Sequence, residues 1–407
     1  MNLQTSTRND RRTRQDSLHA LHVEKEASIV RICLGALVAL LVLASLVGPF
    51  AGSIPPVATV ELPRIPEVIR VRLKAIGEGP WTLNAPAHIG APEGQILHTG
   101  TIITHDGSNL LIDGSSPATT ITLFPTNEQQ ITLNNRPYPG HCTIHHREDF
   151  DDPVVIAHVK TEVYVSHVLP AEMPLHYPDS ALQAQAIAIR TYGLWQAQRR
   201  HDRLWDVMDG QSSQVFVGGM STPASVAPVK ATNRQVLLFN DALLPAYYSA
   251  ICGGATRSNQ EAFGAEELPP LSGISCDYCR WTRTRKWSVR VSTEQLESAL
   301  ELDGPVLGVR LKSVNSGYDG DVLIETASGE KSFSTSDFRR QLSGGLKSSW
   351  IEKINLSGST VKIQGLGYGH GVGLCQTGSR RLAQLGRNYV EVLTFYYPGA
   401  RLIRLEM

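Results

Sequence analysis

Charge of either sign is not in excess in this chain. Its 38 Lys and Arg match 38 Asp and Glu over 407 residues, with no long basic or acidic run, so no net field argues for a nucleic-acid partner. No H-E-x-x-H stands anywhere, which disfavours a zinc hydrolase of that kind. Long apolar runs are almost missing as well. The exception, residues 32–50, holds no charge and has roughly the ~20 residues that cross a bilayer as a helix. Arg8, Arg11, Arg12, Arg14, Lys25 and Arg31 precede it, so the N-terminus is expected in the cytoplasm and the bulk of the chain outside. No Ala-x-Ala closes the run, which ranks a membrane anchor above a cleaved signal peptide.

What is present is turn chemistry. With 35 glycines and 23 prolines between short, β-branched runs, the composition implies more strand than helix, an α+β, β-rich build. Residues 1–31 read as a basic cytoplasmic segment, 32–50 as the transmembrane helix, and the proline-rich 51–68 as a linker unlikely to pack. Short strands follow over 69–152, a β-rich N-terminal domain, separated by turns at Asp106-Gly107, Asp113-Gly114 and Asn134-Asn135. The larger domain is 153–407.

Within that domain the stretch 165–192 holds most of the chemistry. An apolar β-branched run over 163–168 reads as a strand that breaks at Leu169-Pro170, placing Glu172 in a stiff non-helical bend between two prolines. A helix follows, with Asp179 or Ser180 as its N-cap and Leu182, Ala186 and Ile189 at helical spacing. Its many alanines let other elements approach closely. A carboxyl held beside such a helix is placed for a raised pKa, which a general acid needs. Arg190 is the natural cation beside it. Further on, 214–218 reads as a short strand, 227–233 as a helix with Pro228 in its first turn, and 235–239 with 244–250 as a hairpin about Asn240-Asp241.

Four pieces in order carry a resemblance: HVLPAEMP (167–174), ALQAQAIAIRTY (181–192), AYYSAICGGATRSNQEAFG (246–264), and GLGYGHGVGLCQTGSRRLAQLG (365–386) running on to YYPG (396–399). Over about 153–405 the chain resembles the SpoIID/LytB family of bacterial cell-wall proteins. The resemblance implies a SpoIID-like mixed catalytic domain and a lytic transglycosylase that cleaves peptidoglycan glycan strands stripped of stem peptides. The family's S/A-E-M-P glutamate is Glu172 here. One carboxyl suffices when the C6 hydroxyl attacks within the sugar, whereas ordinary glycosidases need a second. The structural alternative is that Glu172 only caps or pairs with the following helix.

Arg190, Tyr248, Tyr368, His370 and Gln376 are the expected substrate contacts. The glycine run 365–373 would let a ligand approach the backbone, with Tyr368 and His370 projecting from it. Its spacing departs from G-x-G-x-x-G, which excludes a dinucleotide fingerprint. The chain departs from the family at Cys375, where serine is usual, at Thr377, where tyrosine is common, and at Tyr248, where many members have histidine.

Cysteines number six. Cys252 with the C-x-x-C of Cys276 and Cys279 offers three zinc ligands, or a disulfide from Cys252 to one of the pair. No cofactor is required for the expected chemistry, so any zinc would be structural. His141, Cys142, His145 and His146 read as structural residues along a strand. The implied partners are glycan strands, the membrane through the N-terminal helix, and a cell-wall amidase if the domain is instead a non-catalytic, amidase-enhancing module.

Overall fold

The computed structural model describes residues 57–60, 65–126, 130–210, 213–219, 221–313, 317–318, 320–342 and 345–406. The basic segment and the apolar run 32–50 lie outside these residues. Among the described residues no helix is long and apolar enough to cross a membrane. Strand exceeds helix in a mixed α+β architecture.

A seven-stranded sheet forms the first layer, in the order Val207–Met208, Val68–Arg72, Val154–Lys160, His141–His145, Thr120–Pro125, Ala87–Ile89, Ile96–Leu97. All its pairings are antiparallel except that of Val207–Met208 with Val68–Arg72. Alternation in VIRVR buries Ile69 and Val71 on one face. That face packs on two helices, α1 (Thr161–Glu172) and α2 (Asp179–Arg199), in a shared apolar core.

The run 163–168 belongs to α1 and is not a strand. Its buried apolar residues, Tyr164, Val165, Val168 and Leu169, repeat at helical spacing, and burial of that stripe outweighs β-branched composition. Pro170 lies inside the helix and does not break it. The stop comes from Pro174, which forces Met173 into extended backbone at φ −138° and ψ 134°. Glu172 is therefore the last helical residue, and only one of the two prolines shapes its surroundings.

Helix α2 is buried on most sides. Ala181, Leu182, Ala186 and Ile189 face the first core, and Ala184, Ile187 and Ala188 face a second. The alanines give α2 the thin profile that admits α1, the strand Gln235–Phe239 and the helices Gln376–Gln384 and Tyr389–Tyr396 around it. Its N-cap is Pro178, with no side-chain cap from Asp179 or Ser180. The helix expected at 227–233 runs Pro223–Ala231, with Pro223 in its first turn and Pro228 inside.

A four-stranded sheet that gives Val236, Leu238, Leu243, Ile403 and Leu405 to the first core and Leu237 to the second has the order Ala58–Val60, Arg401–Leu405, Gln235–Phe239, Ala242–Leu243. Ala58–Val60 lies in the stretch expected to stay unpacked, yet it pairs in parallel with Arg401–Leu405. The hairpin turns at Asn240 and Asp241, with φ 50° and 59°, the mirror-image turn suited to strand twist. Its return strand is Ala242–Leu243. A third lobe, from Lys286–Ser292 to Thr360–Leu366, has two three-stranded sheets around Leu296, Val322, Ile324, Phe338 and Ile363.

Candidate functional site

Tyr248–Ser249 pairs in parallel with Leu374–Cys375, and Ile251 bridges Tyr368. These pairings bring the third and fourth sequence pieces side by side. Two glycines of the fourth serve that packing: a Cβ on Gly373 would lie 2.0 Å from the Tyr247 carbonyl oxygen, and one on Gly371 2.3 Å from the Tyr318 hydroxyl.

Opposite this pair stands Glu172. Its Oε1 accepts a 2.7 Å hydrogen bond from the Val215 N–H. Residues 214–218 were expected as a strand but form an irregular extended segment, and its purpose is to aim Gln214 and Val215. Gln214 is buried; its Oε1 accepts from the Tyr164 hydroxyl at 2.7 Å, and its Nε2 donates to the Tyr248 hydroxyl at 3.1 Å. With its oxygen so occupied, the Tyr248 hydroxyl is left to donate its own proton to Glu172. Burial raises the Glu172 pKa above the usual carboxylate value, and the bonds from Val215 and Tyr248 oppose it. The C-terminal end of α1 also disfavours negative charge there.

A cleft of about 640 Å³ opens over Glu172. Tyr192, Tyr247, Tyr248, Phe263, Tyr368, His370 and Gln376 line it, with Arg339 and Lys347 from the third lobe. Among the described residues that line it, Glu172 is the sole carboxylate. Tyr247 and Phe263 form an aromatic wall with ring centroids 4.7 Å apart, and the His370 ring lies 5.2 Å from Phe263. Tyr368 is 46% exposed with the Lys347 ammonium 5.5 Å from its ring.

His370 proves less free than its sequence position suggests. Its Nδ1 accepts from the Val372 N–H at 3.0 Å, and the ring also bonds the Tyr248 backbone. Burial, aided by Arg339, lowers its pKa to about 4, so at neutral pH it is an uncharged brace of the wall. Arg339 donates to the carbonyls of Gly369 at 3.1 Å and Leu346 at 3.3 Å. Tyr192 and Phe263 belong to the second and third sequence pieces, whereas nothing in the sequence marks Arg339 or Lys347 as cleft residues, because they come from a lobe that only the fold brings over the site. Gln214 sits in no piece singled out above.

Arg190 does not stand beside Glu172. It forms a bidentate pair with Glu162, at 2.8 and 2.7 Å, and donates to the carbonyls of Gln235 and Val229. It is 1% exposed and does not line the cleft. The pairing it makes ties α1 to α2, where a helix-facing cation on α2 finds the acid in the first turn of α1.

Cys252, Cys276, Cys279 and Cys375 are all buried, with their sulfurs within 4.8 Å of one another. The three cysteines singled out from the sequence thus come together with a fourth, Cys375, noted above only as a departure from the family pattern. Cys142 lies apart, its thiol pushed up to about 12 by burial and so inert. His141 stacks on His158 at 4.3 Å, and Thr143 bonds both His158 and His145.

The family model for SpoIID, stage II sporulation protein, matches residues 151–239. An uncharacterized protein of Brachyspira hyodysenteriae is 32% identical over 62% of this chain and 69% of its own length. The amidase enhancer of Bacillus subtilis is 24% identical over 58% of this chain, which spans 39% of that protein. The stage II sporulation protein D of Bacillus amyloliquefaciens is 25% identical over 69% of this chain and 90% of its own length.

Proposed function

The chain belongs to the SpoIID/LytB family, and from that premise we propose that it is a lytic transglycosylase acting on peptidoglycan glycan strands. The observation that carries this reading is Glu172 alone: one carboxyl, its pKa raised by burial, set in an aromatic and cationic cleft without a second carboxylate among the described lining residues. Protonated Glu172 gives its proton to the glycosidic oxygen as the bond to the anomeric carbon breaks. The resulting carboxylate takes the proton of the C6 hydroxyl as that oxygen closes on the same carbon. The product is a 1,6-anhydro-muramyl end, and Glu172 is protonated again.

The Tyr248 hydroxyl and the Val215 N–H are placed to steady the transient carboxylate. Tyr247, Phe263 and Tyr368 offer ring faces for sugars. A muramyl residue stripped of its peptide bears a free lactyl carboxylate, and Arg339 and Lys347 are the cations lining the cleft. That charge match supports stripped strands as substrate. The apolar run 32–50 would hold the chain at a membrane with its bulk outside.

A second reading, glycan binding that enhances a cell-wall amidase without cleavage, is favoured by the name of the Bacillus subtilis relative. The experiment incubates purified full chain and Glu172→Gln with peptide-stripped and intact strands and reads products by mass spectrometry. Anhydro ends from the wild type alone support the transglycosylase. Binding by both proteins with cleavage by neither replaces it with the second reading.

A further inference from the structure

The four buried cysteines are separate from Glu172, and their geometry has a chemistry of its own. We propose that Cys252, Cys276, Cys279 and Cys375 hold one zinc ion as a four-thiolate structural site. This proposal does not rest on the transglycosylase reading.

The sulfurs come from three distant segments: Cys252 just past the Ile251 bridge, Cys276 and Cys279 around the short 3-10 helix Asp277–Cys279, and Cys375 at the end of Leu374–Cys375. All four residues are 0% exposed. A tetrahedron with Zn–S bonds of about 2.3 Å has sulfur–sulfur edges of about 3.8 Å. The Cys252 and Cys279 sulfurs are 3.5 Å apart and no pair exceeds 4.8 Å, whereas a disulfide would need about 2.05 Å. Spacing this tight suits one ion and leaves no room for an iron–sulfur cluster between the sulfurs. Each thiol gives up its proton on binding, so the site carries a net charge of about −2.

The surroundings are built to receive that charge. The Cys375 sulfur accepts from the backbone N–H of Cys252 and of Gly378, each at 3.3 Å, and the Tyr396 hydroxyl lies 3.3 Å from the Cys276 sulfur. Cys375 also caps the nine-residue helix Gln376–Gln384, whose N-terminal end favours negative charge. A Cβ on Gly378 would lie 3.2 Å from the Cys276 sulfur and 1.9 Å from the Tyr396 hydroxyl, so only glycine admits this approach.

The ion would tie together one wall of the cleft. Cys375 pairs with Ser249, beside Tyr248, and precedes Gln376; Cys252 follows the residue bridged to Tyr368. Glu172 sits on α1, outside this staple.

The test uses full chain purified without chelator. Zinc per chain is measured by plasma mass spectrometry, and thiols are counted in denaturant with chelator and without reductant, in wild type, Cys375→Ser, Tyr396→Phe and Cys142→Ser. The expected result is one zinc per chain and all six thiols reactive, with zinc retained in Cys142→Ser. Zinc should be lost in Cys375→Ser and bound about tenfold more weakly in Tyr396→Phe, the usual effect of removing an outer-shell partner. Metal-free wild type, whether its thiols are free or four are consumed in disulfides, overturns the proposal. Should Cys375→Ser fail to fold, cobalt(II) exchanged into the wild type decides: strong thiolate-to-cobalt charge-transfer bands support the site, and their absence overturns it.

Discussion

At Glu172 burial and hydrogen bonding pull in opposite directions, and their balance sets the pH range in which the carboxyl is an acid. Burial favours the protonated form, and the Tyr248 hydroxyl favours the carboxylate. Tyr248→Phe should therefore raise the Glu172 pKa further. The alkaline limb of kcat/KM, where the acid loses its proton, should move to higher pH, while the maximal rate falls because the transient carboxylate loses a donor. An unmoved limb would mean that Tyr248 does not touch Glu172. His158 allows a stability test of the opposite sense. Burial first, then the neighbouring His141, His145 and Arg70, lower its pKa from 6.5 to about 4, so as pH falls the unfolded chain takes up this proton before the folded one. Its contribution is complete above pH 6.5 and is lost progressively toward pH 4. The loss is bounded at about 3 kcal/mol. Thermal melts across that window should flatten in His158→Gln. At this scale the sequence made Glu172 legible through the prolines and motif around it. Gln214, which orients Tyr248, has no such signal, because its partners Tyr164 and Tyr248 lie far away along the chain.

The element that misleads is α1. Val163, Val165 and Val168 suggest a strand, and Pro170 a break, but Tyr164, Val165, Val168 and Leu169 form the buried helical stripe that decides the matter. Helix α2 was readable throughout, since its alanines and its spacing agree. The role of Arg190 was not, since an arginine on α2 has two acids within reach along α1 and only packing selects Glu162. Arg190→Leu removes the guanidinium from Glu162, which keeps only the Arg234 N–H, and from the Gln235 and Val229 carbonyls. Loss of a partner in a largely buried pair should cost about 3 kcal/mol. The melting temperature should drop while KM for glycan strands in the folded fraction stays the same. A raised KM with unchanged melting would return Arg190 to the cleft.

Across the whole molecule the cleft is an assembly. Glu172 comes from the helix on the first core, Tyr248 and the glycine run from the second, and Arg339 and Lys347 from the third lobe. The position of that lobe over Glu172 was not visible in the sequence, since no motif records which of its segments faces the site. Arg339→Ala removes a charged donor worth about 1.5–3 kcal/mol to a bound carboxylate. KM for stripped strands should rise at least about tenfold with kcat little changed, and an unaltered KM would remove Arg339 from substrate recognition.

The most direct measurement of the central claim is turnover of peptide-stripped strands by the full chain in water enriched with oxygen-18, products weighed by mass spectrometry. Closure by the C6 hydroxyl predicts anhydro-muramyl ends carrying no oxygen from solvent, and none at all with Glu172→Gln. Reducing ends labelled with oxygen-18 would show hydrolysis instead and would contradict a single-carboxyl transglycosylase.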